Sequence, residues 1–82
     1  MMVYGRNGYF FIEGATKSQK SLLEEVRRIC HMEFGVPENQ VNITPRGFGH
    51  NKVYDLSVPT HLSADASGMR SRIEEAIGQT FE

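Results

Sequence analysis

The residues best suited to chemistry in this sequence are cationic and hydroxylic, and they fall in two short segments. Thr16-Lys17-Ser18 follows Gly14 and Ala15, while Arg46, His50 and Lys52 sit in the turn-rich run Pro45-Arg46-Gly47-Phe48-Gly49-His50-Asn51-Lys52. First-turn helix amides and the positive end of the helix dipole favour negative charge, and hydroxyl, ammonium, guanidinium and imidazole groups add donors to it. Thr16, Lys17, Arg46, His50 and Lys52 are therefore the candidate binding residues, and a phosphate or carboxylate is the ligand that suits them. The plainer alternative is that Thr16 caps its helix while the cations keep a hairpin soluble.

The other reactive residue types form no constellation. His31, His50 and His61 are the only imidazoles, and none has a second ligand at helical or hairpin spacing that favours zinc, so no metal or cofactor is expected. Cys30 is the single cysteine, which excludes a disulfide within the chain, and on an apolar helical stripe it reads as a packed thiol. Glu24-Glu25 and Glu74-Glu75 lie among arginines on helix faces, which suits intrahelical pairing. No catalytic residue stands out.

The elements that must position the two segments follow from periodicity. Asn7-Gly8 is a turn signal, preceded by a possible short extra strand, and Tyr9-Phe10-Phe11-Ile12-Glu13 is an aromatic, β-branched strand. Alternation sends Phe10 and Ile12 to one face, and Tyr9 and Phe11 to the other. Thr16 to Gln19 has the form of a capping box. Leu22, Leu23, Val26, Ile29 and Cys30 then recur at helical steps until Gly35 and Pro37. Gln40 to Thr44 alternates as a strand with Val41 and Ile43 inward and ends at Pro45, and Val53 to Val58 alternates again beyond a long hairpin tip. Ser63 or Asp65 caps a second helix with Met69, Ile73, Ala76 and Ile77 on one face, and Gly78 releases the last residues.

The order is β-α-β-β-α, a two-layer α+β sandwich forming one domain over 1–82. A right-handed crossover makes the first two main strands parallel and the hairpin makes the third antiparallel, giving a mixed sheet with both helices on one face. A chain of 82 residues hides only about 60 to 65% of its unfolded surface, so the core is thin. Tyr9 and Phe11 are then candidate interface residues of a homodimer or higher homo-oligomer. A net charge of −1 argues against a polyanion binder driven by bulk charge, although the segment Arg46 to Lys52 carries two formal positive charges and no acid. No apolar run approaches a membrane span, so a soluble, cytoplasmic protein with no membrane association is the expectation.

Two resemblances add expectations. Arg46-Gly47-Phe48-Gly49 resembles the opening of the third-strand signature of the RNA recognition motif, with His50 and Asn51 where an aromatic and an aliphatic residue of that motif follow and Val53 where its last aromatic stands. It implies a nucleic-acid partner and aromatic rings on an open strand face. Phe11-Ile12-Glu13-Gly14, Ser18-Gln19-Lys20, Leu23, Phe34-Gly35-Val36-Pro37 and Val41-Asn42-Ile43 look like the strand-helix-strand half of the tautomerase superfamily. That resemblance implies small units that oligomerise around their sheets, with an N-terminal proline as base and an arginine after the first strand. Here no proline precedes Pro37, and Ala15 stands where the arginine is expected, so the architecture is implied without the base. The fold expectation is ferredoxin-like or tautomerase-like. The leading functional expectation is a non-enzymatic interaction module that self-associates through its sheet. The alternatives are a nucleic-acid or phosphate-ligand binder at the helix start and hairpin tip, and a tautomerase-like enzyme or inactive relative.

Overall fold

Asn7 and Gly8 take positive φ values of 52° and 80°, which lets the chain reverse in two residues with the twist that its flanking strands need. The computed structural model describes residues 1–81. On either side of the turn, β1 (Met2–Arg6) and β2 (Tyr9–Ala15) pair antiparallel, with Arg6 opposite Tyr9 and Met2 opposite Glu13. The extra N-terminal strand is thus a full edge strand.

A 3-10 turn at Lys17–Gln19 leads into α1 (Lys20–Phe34), whose Leu23, Val26, Ile29 and Cys30 are buried at three- and four-residue steps. Gly35 ends it at φ 72°. Its amide donates to the His31 carbonyl at 3.2 Å and the Val36 amide to the Cys30 carbonyl at 3.0 Å, closing the last turn as a glycine cap does.

The hairpin comprises β3 (Asn42–Arg46) and β4 (Val53–Pro59), with Thr44 opposite Asp55. The sheet order is β1-β2-β4-β3 and every neighbouring pair is antiparallel, so the expected mixed sheet is corrected to an antiparallel one. The strands flanking α1 do run the same way, but β4 lies between them. The reason is apolar content: Leu56 and Val58 of β4 are buried, whereas β3 offers only the half-buried Ile43, so β4 takes the central position. An edge position also explains why β3 continues through Pro45 to Arg46, since an edge strand tolerates a residue without an amide donor. Val41, expected within this strand, precedes it and is buried at the end of a 3-10 turn.

Asp65 caps α2 (Ala66–Ile77), its Oδ1 accepting from the Gly68 amide at 2.9 Å. Met69 and Ile73 are buried, and both helices share one core with Val3, Ile12, Leu56 and Val58, so they cover the same sheet face. The result is a two-layer α+β arrangement. The segment after Gly78 is not released as expected, because Phe81 is 5% exposed and its ring centroid lies 4.7 Å from that of Phe10. The Phe81 amide donates to Glu74 Oε2 at 2.7 Å and its carbonyl accepts from Arg70 Nη2 at 2.7 Å. Among the described residues no helix is long and apolar enough to cross a membrane.

Candidate anion-binding cleft

β2 delivers the chain to Thr16 at the start of the helical segment, and the β3–β4 hairpin brings its tip to the same end of the sheet. A cleft of about 530 Å³ lies between them, lined by Thr16, Lys17 and Ser18 on one side and by Gly49, His50, Lys52, Val53 and Tyr54 on the other. Four of the five binding residues expected from the sequence, Thr16, Lys17, His50 and Lys52, are thereby brought together.

Local geometry sets both walls. The Thr16 amide donates to Gln19 Oε1 at 2.9 Å, which is the Gln19 half of the expected capping box, and the Gln19 amide donates to the Thr16 backbone carbonyl at 2.9 Å, so neither bond uses the Lys17 or Ser18 amide. The Thr16 and Ser18 hydroxyls lie 3.0 Å apart. On the other wall, Gly47 sits at φ 86°, where a Cβ would come within 2.8 Å of the Asn51 carbonyl oxygen. Only glycine closes the tip this way.

The electrostatics of the cleft are one-sided. Lys20 Nζ lies 5.1 Å and Lys52 Nζ 5.9 Å from the centroid of the Tyr54 ring, so one aromatic ring gathers two ammonium groups beside Lys17. None of the residues lining the cleft is acidic. Asp55, next along β4 from Tyr54, belongs to the opposite face of the sheet by strand alternation. There it accepts from Arg46 Nε at 2.9 Å, Arg46 Nη2 at 3.3 Å and the Gly14 amide at 2.9 Å. The Arg46 hydrogen bond, aided by the Gly14 amide, holds the Asp55 carboxyl below its usual range against the opposing effect of burial. That pairing is where Arg46 is used, and Arg46 does not line the cleft.

Tyr54, which lines the cleft, and Lys20, whose ammonium lies over the Tyr54 ring, add to the candidate residues named from sequence. Lys20 was legible, because it stands three residues after Lys17 on a predicted helix and so shares its face. Tyr54 was not, since its position against the helix start depends on strand register. No hydrogen bond links His50 to Thr16 or Ser18 among the described residues, so the arrangement offers donors and charge without a nucleophile paired to a base.

The motif residues behind the two resemblances take other positions. Phe48 lies in the tip, 92% exposed and off any strand, so it presents no ring on a sheet face. Ala15 is fully buried and Met2 lies on the edge strand β1. His31 Nδ1 is 3.0 Å from the Val36 carbonyl at the end of α1, and His61 meets the Tyr9 ring edge-on at 6.3 Å. Among the described residues no group of three His, Cys, Asp or Glu could hold a metal ion.

The expected interface residues occupy the sheet face turned away from the helices. Phe11 stacks between Tyr4 of β1 and Tyr9, with centroid distances of 5.0 and 5.9 Å and ring planes inclined by 28° and 25°. Tyr9 is 39% exposed. Burial first, and then the neighbouring Glu13 carboxylate, push the Tyr4 phenol above its ordinary value. No family model matches the chain, and no curated protein or solved structure shows significant similarity to it.

Proposed function

We propose that this chain is a small non-enzymatic binding module whose cleft between the start of α1 and the β3–β4 tip holds a phosphate- or carboxylate-bearing ligand. The observation that carries this reading is the gathering of Thr16, Lys17, His50 and Lys52, from two distant segments, around one cleft without an acid. Like charges brought together raise each other's free energy, and an anion between them reverses that cost. The volume falls within the range of small-ligand sites, so a phosphate with an attached sugar-sized group fits better than a bare ion.

A ferredoxin-like fold accompanies this reading. Moving β1 to follow α2 would give the order β-α-β-β-α-β, with β4 between the two strands that flank α1. A second functional reading is favoured by the Tyr4-Phe11-Tyr9 row, whose ring faces are engaged with one another and leave an apolar strip on the uncovered sheet face. That strip suits a dry contact with a second copy better than base stacking, for which ring faces must be free.

Amide chemical-shift titration with inorganic phosphate, a nucleoside monophosphate and a short oligothymidylate tests the cleft. Saturable shifts are expected at Lys17, Ser18, Gly49 and Lys52, lost in the Lys17→Ala, Lys52→Ala double variant. For the oligonucleotide, affinity should fall with salt with a slope of about 0.7 per phosphate contacted. Shifts elsewhere only, or binding indifferent to both the salt and the double variant, would remove the reading.

A further inference from the structure

The two edges of the sheet are not equivalent. β3 is blunted by Pro45, which cannot donate to an added strand, whereas β1 contains no proline and carries no charge before Arg6. Beside β1 lies a groove of about 750 Å³, with Met1, Met2 and Val3 on one wall and Glu74, Glu75 and residues 78–80 at the end of α2 on the other. β2 contributes nothing to its lining, so the groove opens on the outer side of β1.

A chain pairing with that outer side would turn alternate side chains toward α2, on the face that Val3 occupies. There it meets two carboxylates of different standing. Glu74 is engaged, accepting from the Phe81 amide at 2.7 Å and lying 3.6 Å from Arg70 Nε. Glu75 is exposed and has no ion pair among the described residues.

We propose that the outer edge of β1 takes up an extended segment of a partner polypeptide as a fifth strand, with a Lys or Arg of that segment facing Glu75 across the groove. Backbone hydrogen bonds to the free edge supply affinity, and the groove selects an alternation of an apolar and a cationic side chain on the helix side. Charge complementarity decides against a second copy of β1 as the occupant. Its helix-side residues are Val3 and Gly5, and its one cation, Arg6, belongs to the opposite face.

A displayed library of peptides about ten residues long, randomised at alternate positions, provides the probe. Enrichment of Lys or Arg at an alternate position is expected. A selected peptide should slow amide exchange across Met2–Arg6, and N-methylation of its backbone amides should abolish that effect. Glu75→Lys should weaken this peptide about tenfold or more, and a Glu-for-Lys version of the peptide should recover binding to the variant. Absence of enrichment, or enriched peptides indifferent to Glu75→Lys, overturns the proposal. So does slow exchange in β1 of the free protein that depends on protein concentration, since a second copy then holds the edge. Lys17→Ala with Lys52→Ala should leave peptide binding unchanged, which separates this result from that of the anion cleft.

Discussion

Removing the Asp55 side chain tests the arrangement that keeps Arg46 out of the cleft and holds the irregular pairing in β2. The register between β2 and β4 shifts between Ile12 and Ala15, both fully buried, and the Gly14 amide within that shift donates to Asp55 Oδ1 at 2.9 Å. Asp55→Ala leaves this part-buried amide without its acceptor, at a cost of about 1–3 kcal/mol. For a domain of this size that corresponds to a fall of about 5–20 °C in Tm. Asp55→Asn retains a carbonyl oxygen for Gly14 and loses only the pairing with Arg46, whose side chain is 61% exposed, so its Tm should stay well above that of the alanine variant. Acid sensitivity supplies a second readout. The Asp55 carboxyl is held low chiefly by its hydrogen bond to Arg46 and also by the Gly14 amide, so its contribution is complete above the unfolded-state pKa near 3.9. It is lost as pH falls through the lower folded-state value. Thermal melts between pH 2 and 7 should show both variants with a flatter profile below about pH 4 than the parent. An alanine variant within about 2 °C of the parent at pH 7, or equal to the asparagine variant, would refute the role assigned to this carboxylate.

Two further outcomes are expected. If the aromatic row seats a second copy, sedimentation at micromolar concentration should give a mass above that of one chain, and Phe11→Glu should return it to a monomer; a parent that remains strictly monomeric ends that reading. Burial pushes the Cys30 thiol up to about 12, so iodoacetamide at pH 8 should leave the folded protein unlabelled and react only as the chain unfolds. Labelling at the rate of a free thiol would contradict the packing of α1.

Both helices, the glycines that end them and the Asn7-Gly8 turn were readable because each depends on interactions within a few residues, and the cap of α2 was narrowed to Ser63 or Asp65 for the same reason. Gly35 and Gly78 end their helices at positive φ, and Asp65 caps α2 by a bond to Gly68, all spanning one turn of chain. Alternation also separated Phe10 and Ile12 of β2 from Tyr9 and Phe11, but both pairs are apolar, and it took the packing of the helices to show that Ile12 faces the core. Phe81 was passed over because an aromatic after a helix-ending glycine gives no local sign that it will fold back onto Phe10.

The candidate cleft divides along the same line. Residue types and the turn-rich tip marked Thr16, Lys17, Arg46, His50 and Lys52 as candidate anion-binding groups, and of these only Arg46 is turned away, to Asp55. Which of them share a wall, and what stands between them, was decided by strand order. Local chemistry along the chain was enough for both helices, their glycine ends and the excess of donors in two segments. Only the tertiary structure placed β4 at the centre, and that single choice made the sheet antiparallel. It also set the register by which Tyr54 turns toward Lys20 while Asp55 turns away to hold Arg46. The physical reason is range. Propensity, capping and periodicity act over a few residues, whereas the place of a strand is fixed by competition among whole apolar faces for one small core.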